Sequence, residues 1–286
     1  MMTDPAPIPP FPASLSPSRA ADFMTCPLLF RFRSIDRLPE EPSPAAVRGT
    51  LVHRALETLF DLPAVERTVD AASGLVTRAF EEMERDEPEA ADTMRSGPDG
   101  EPALDVAGLL DSYFALEDPR RLEPHARELA VSAQLSESLE VRGFIDRVDR
   151  APDGRIRIVD YKTGRSPGPG YEAKAMFQMR FYALAWWRMT GDVPSLLQLM
   201  YLGNGELLRY EPDEDDLTAT ERKVLALRDA ISRAADAGTF DPSPSRLCDW
   251  CSHRAVCPAW DGIAPPLPER SAWPTSSTWR VHAPEE

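Results

Sequence analysis

Long apolar runs are missing from this chain: no stretch reaches the roughly 18 apolar residues that a membrane-spanning helix needs. The opening segment, MMTDPAPIPPFPASLSPSR, lacks both a basic n-region and an apolar h-region, so no leader is expected and the chain reads as cytoplasmic. Positive charge is in short supply. The net charge is -15 and the isoelectric point is near 4.8, which opposes nonspecific adhesion to polyanions and to anionic membranes. Internal repeats of solenoid type are absent, as is a phosphate loop of G-x4-G-K-[ST] type. Cysteine is scarce, at four residues.

What remains is the composition of a globular protein. The 286 residues are 42% hydrophobic, enough to bury a core in one large domain or two small ones. Residues 1–13 read as a disordered start, 14–261 as the folded domain, and 262–286 as a Pro-rich tail in which Trp273 and Trp279 can dock. SPSRAADFMTCPLLFRFR predicts one helix capped by Ser16 or Ser18. Val52, Leu56, Leu59 and Phe60 form the stripe of a second helix, and two more are expected near 63–87 and 103–117. After Pro124 the period changes. ARELAVSAQL, LEVRGFIDRVDR and RIRIVDYKT read as three strands, the last two joined by the turn APDG. A helix over 171–189, strands around LLQLMYL and ELLRYE, and a helix over 213–237 complete an α/β domain with a central mixed sheet flanked by helices.

The third strand raises a question of charge. Alternation puts Ile156, Ile158, Asp160 and Lys162 on one face, so the charged pair continues a buried stripe. On the preceding strand the same alternation groups Phe144, Asp146 and Val148. A hairpin brings Asp146 near Asp160, and two carboxylates at that distance repel unless a divalent cation lies between them. Lys162 can then orient a water nucleophile or stabilise charge on a scissile phosphate. Taken alone, the D-x-K triplet also reads as a strand-end salt bridge. A basic surface for a polyanion is offered by Arg19, Arg31, Arg33, Arg37, Arg48 and Arg54.

GFIDRVDR, then IVDYKTG, then FQMRFYALAWW resemble the RecB-like branch of the PD-(D/E)XK nuclease superfamily, with its restriction-endonuclease-like core. The resemblance implies a G-x-x-D-R strand carrying Asp146, a D-x-K strand carrying Asp160 and Lys162, and a Q-x-x-x-Y helix carrying Gln178 and Tyr182. RGTLVHRALE supplies the family's upstream G-x-x-x-H as Gly49 and His53. The implied metal set is His53, Asp146, Asp160 and the Tyr161 carbonyl, holding Mg2+ or Mn2+. Asp146, Asp160, Lys162, His53, Gln178 and Tyr182 are the implied catalytic residues. Glu128, at the start of the first strand, reads better as a surface charge. The implied activity is a metal-dependent exonuclease acting on DNA ends or single strands in repair or recombination. A helicase or another repair protein is the expected partner, since unwinding must come from elsewhere. The alternative is a noncatalytic DNA-binding module or a zinc-stapled assembly module.

The cysteines fall at Cys26 and in CDWCSHRAVCP, as Cys248, Cys251 and Cys257. C-x2-C-x5-C is a metal-ligand spacing, and its short loops leave zinc and iron open, with His253 available to replace one thiolate. Cys26 joins them only if the chain's end returns to the first helix. Relatives of the resembled branch, which have one N-terminal and three C-terminal cysteines, imply a 4Fe-4S cluster that ties the domain's ends together.

Overall fold

The computed structural model describes residues 11–95, 104, 106–168 and 172–273, so the expectations for 1–10 and for Trp279 lie outside the described residues. In chain order the elements are β1 (Ser14–Leu15), α1 (Pro17–Thr25), α2 (Pro27–Arg31), α3 (Pro44–Leu59), α4 (Val69–Asp86), α5 (Pro88–Asp92), α6 (Ala107–Leu116), β2 (Ala126–Ser136), β3 (Leu139–Arg150), β4 (Ile156–Lys162), α7 (Glu172–Thr190), β5 (Leu196–Tyr201), β6 (Glu206–Tyr210) and α8 (Glu214–Ala237). They divide into two compact units, one formed by the chain up to Glu41, Ser132–Gly143 and everything from Thr218, the other by Pro42–Val131 and Phe144–Leu217. Among the described residues no helix is long and apolar enough to cross a membrane.

The second unit holds most of the sheet. β3 runs antiparallel to β4 with Arg147 opposite Val159, β4 parallel to β5 with Asp160 opposite Leu199, and β5 antiparallel to β6. A parallel pair needs a long crossover, and α7 provides it. The turn from β3 to β4 closes where Ala151 N donates to Arg155 O at 2.9 Å, with Gly154 at φ 88°, a left-handed conformation that glycine adopts without a Cβ clash. Ser43 caps α3 and Thr68 caps α4, each accepting from a backbone N–H three residues on. Leu51, Leu56 and Leu59 of α3, Val76 and Phe80 of α4, and Leu110 and Tyr113 of α6 pack against Val159 and Tyr161 of β4 and Met200 of β5. Val159 and Tyr161 lie on the face of β4 opposite Ile156 and Ile158, which are also buried, so the strand is covered on both faces.

In the first unit Ser14 and Leu15 pair in parallel with Glu140 and Val141. The single helix expected over 16–33 is broken in two. Pro27 excludes the helical conformation from the residue before it, and Cys26 accordingly sits extended at φ -162°, ψ 116°. Ser16 is the cap, its hydroxyl accepting from Arg19 N. Phe11 packs edge-on against Trp273 with centroids 4.9 Å apart, and Phe30 stacks near Phe240. Phe11 and Trp273, outside the expected 14–261, are both buried, because these rings remove apolar surface from water.

Candidate active site

β4 carries its charges inward. Asp160 is only 2% exposed, a cost that its partners must offset. Lys162 Nζ lies 2.7 Å from Asp160 Oδ2. Gln178 on α7 bridges the pair, accepting from Lys162 Nζ at 3.0 Å and donating to Asp160 Oδ1 at 2.9 Å. One helical turn on, the Tyr182 hydroxyl accepts from Gln178 Nε2 at 3.2 Å. Four of the expected site residues thus form one hydrogen-bonded group. Burial works against the charge on Lys162, but Asp160 outweighs it and raises the ammonium's pKa. Burial and the nearby Asp146 push the Asp160 carboxyl up to about 6.

Asp146 sits one step past the last paired residues of the β3–β4 ladder. Its carboxylate accepts the Tyr161 N–H at 2.7 Å, so the side chain takes over where the strand pairing stops. His53, on α3, places Nε2 2.9 Å from the Tyr161 carbonyl and Nδ1 3.4 Å from Asp146 Oδ2. Burial alone would lower the imidazole pKa, but Asp146 lifts it to about 9.

Glu128 joins this group, which corrects its reading as a surface charge. Atoms of His53, Glu128 and Asp146 lie within 4.8 Å of one another, the arrangement of a metal-binding set. Burial and Asp146 raise the Glu128 carboxyl to about 7. Its backbone is left-handed, at φ 42°, a strained state for glutamate within a strand and one that clusters at functional sites. Strand periodicity carries no sign of that dihedral. Two carboxylates, an imidazole and the Tyr161 carbonyl are hard oxygen and nitrogen donors of the kind that suit Mg2+ or Mn2+. Repulsion from Asp146 adds to burial in raising the Glu128 and Asp160 carboxyls, and a cation would relieve it.

Behind β4, Arg147 is 1% exposed and donates to the Tyr161 hydroxyl at 2.7 Å, to both oxygens of Glu117, and to Asp149. Its guanidinium lies over the rings of Phe60 and Tyr161. This network holds the Tyr161 side chain, whose ring also meets the His53 ring edge-on at 5.9 Å, while the Tyr161 main chain serves His53 and Asp146.

In the first unit, Cys26, Cys248, Cys251 and Cys257 line one cavity of about 50 Å³ with the apolar side chains of Leu28, Leu29, Phe32 and Leu247. The break before Pro27 turns Cys26 to this cavity, where its sulfur accepts from Ser243 N at 3.3 Å; Ser245 N donates to Cys248 Sγ at the same distance. Burial pushes the Cys251 thiol pKa up, and the other three cysteines add to it. No three of the four sulfurs lie within 4.8 Å of one another, so they are not gathered about a single ion. His253 is 3% exposed, and its Nε2 lies 2.7 Å from Glu40. The basic surface expected from the N-terminal arginines is largely consumed. Arg31 pairs with Asp36, Arg33 with Asp22 and Glu40, and Arg54 with Glu57.

Residues 14–258 match the PD-(D/E)XK nuclease superfamily. The chain belongs to that superfamily. Two curated relatives are both called Gene 69 protein. The one from Mycobacterium phage L5 is 34% identical over 139 residues, 47% of this chain and less than half (45%) of the relative's length. The one from Mycobacterium phage D29 is 26% identical over 270 residues, 86% of this chain and 96% of the relative. A crystal structure of a candidate exonuclease from Eubacterium rectale shares the fold, with a TM-score of 0.55 at 13% identity over 85% of this chain and 89% of that one. PD-(D/E)XK nucleases use divalent metals and act on DNA, and the His53, Glu128 and Asp146 group is of the type such an ion needs.

Proposed function

We propose that this PD-(D/E)XK chain is a Mg2+- or Mn2+-dependent DNA exonuclease of the RecB-like branch, acting on DNA ends or single strands in repair or recombination. The observation that carries this reading is the convergence of His53, Asp146, Asp160, Lys162 and Gln178 around the end of β4. His53, Glu128, Asp146, Asp160 and the Tyr161 carbonyl are the residues that would hold the ion. When bound, it polarises phosphate oxygens and makes a water ligand more acidic.

The remaining roles belong to the chain. Lys162 keeps its proton at neutral pH, so its ammonium orients a water or donates to a scissile-phosphate oxygen and does not act as a base. Gln178 holds Asp160 and Lys162 at a set separation, and Tyr182 holds Gln178. The test is digestion of end-labelled single- and double-stranded DNA with Mn2+. Lys162→Ala is expected to abolish digestion while circular dichroism stays native. A variant that cuts at the wild-type rate removes the assignment.

For the four cysteines the reading is a 4Fe-4S cluster. The four cysteines share one cavity, and zinc held by the same thiolates is the competing reading. Anaerobically purified protein should be brown, absorb near 400 nm and contain iron. A colourless protein with one equivalent of zinc overturns the iron assignment.

A further inference from the structure

We propose that the loop following Lys162 is a phosphate clamp, in which Arg165 binds a backbone phosphate of the DNA strand beside the scissile position. This inference rests on the nuclease reading above.

The start of the loop, residues 162–166, is fastened to the β5–β6 hairpin. Leu202 N donates to Lys162 O at 2.8 Å and Gly203 N to Gly164 O at 3.1 Å. Ser166 N donates to Asn204 Oδ1 at 3.1 Å, and Asn204 Nδ2 returns a bond to Ser166 Oγ at 2.9 Å. The Ser166 hydroxyl in turn donates to Glu206. Position 203 must be glycine for this to hold: a Cβ there would stand 2.6 Å from the Gly164 oxygen and 2.8 Å from the Thr163 oxygen, backbone atoms that cannot give way.

These bonds engage Lys162, Gly164 and Ser166 but leave the Arg165 side chain aside. It is exposed, and among the described residues it makes no ion pair or hydrogen bond. Arg54, Arg127, Arg155 and Arg157 of this unit pair with Glu57, Asp61, Asp153 and Asp149, while Arg78 and Arg85 on α4 and Arg150 at the end of β3 are exposed as Arg165 is. In a chain of net charge -15, a cation with no carboxylate partner among the described residues, carried three residues past Lys162, is the local charge that a strand entering this site would meet. Three residues of chain span at most about 11 Å, over which a DNA strand carries about three further phosphates. A loop already held in place loses little freedom on binding, and a guanidinium suits phosphate geometry.

The test measures binding of a fluorescent single-stranded oligonucleotide in Ca2+, across about 50–200 mM salt, together with steady-state digestion in Mn2+. Arg165→Ala is expected to weaken binding about tenfold, to reduce the slope of log affinity against log salt by about 0.7, and to raise KM more than it lowers kcat. Arg165→Lys should restore most of the slope, and Gly203→Ala, which displaces the loop, should reproduce the loss. If the wild type cuts DNA while Arg165→Ala keeps the full slope and KM, the clamp is wrong and the nuclease reading stands. If the wild type neither binds nor cuts DNA, both are wrong.

Discussion

Lysine is used three times in this chain, at 162, 174 and 223, against 32 basic residues in all. At position 162 an ammonium is a compact charge that can sit against a buried carboxylate and still present protons to a small ligand, which the planar guanidinium fork does less well. The same residues make the site sensitive to pH. Glu128 rises in the fold from 4.5 to about 7, so its stabilising effect is complete at low pH and is lost as pH climbs through that window. Asp160, at about 6, acts in the same direction. His53 does so higher up, between 6.5 and about 9, as its cation is lost. The thermal midpoint of metal-free protein should therefore fall between pH 5 and 9, and Glu128→Gln should flatten the part between 5 and 7. Mn2+ should raise the midpoint more at pH 8 than at pH 6, because protons compete for the same oxygens. Scanning fluorimetry over this range measures all three effects, and a metal-induced shift that does not depend on pH would exclude Glu128 and Asp160 as ligands.

At the scale of elements, the position of β4 depends on contacts at both of its faces. Arg147 of β3 reaches Tyr161 of β4 and Glu117 at the end of α6, so one guanidinium ties two strands to a helix. Removing it would leave Glu117 half-buried without its main cation, while Asp149 would keep Arg157 at 2.8 Å. Arg147→Ala should cost about 3–5 kcal/mol in urea unfolding, with Arg147→Lys recovering only part of it. A loss under 1 kcal/mol would mean that the carboxylates find water instead. The break between α1 and α2 is the other decisive joint. Its cause was legible in Cys26-Pro27, but a helical stripe running through the segment reads as continuous, because hydrophobic period is blind to the backbone angle that one proline imposes.

Across the whole molecule, the charge of -15 means that the proposed DNA substrate would have to be held through a few local contacts and not by a general basic surface. The pairing of Arg31, Arg33 and Arg54 with carboxylates fits that economy. Residues 26 and 248–257 are joined at one cavity although about 220 residues separate them, so whatever the cysteines hold constrains a long loop. Cys26→Ser should reduce hydrogen-exchange protection around 243–257 and bleach any absorbance near 400 nm. Unchanged protection there would show that the segment is held by its apolar contacts alone.

The sequence by itself determined the alternation that drives Asp160 and Lys162 into the sheet, the helix that sets Gln178 and Tyr182 on one face, the succession of strands after Pro124 and the family. These follow from periods of 2 and 3.6 and from short motifs, which are local quantities. Only the tertiary structure decided that Glu128 faces His53 and Asp146, that Tyr161 is pinned from behind by Arg147, that the N-terminal arginines are already paired, and that Arg165 is not. Each of these depends on which distant side chain arrives at a given point, and nothing in local periodicity encodes that.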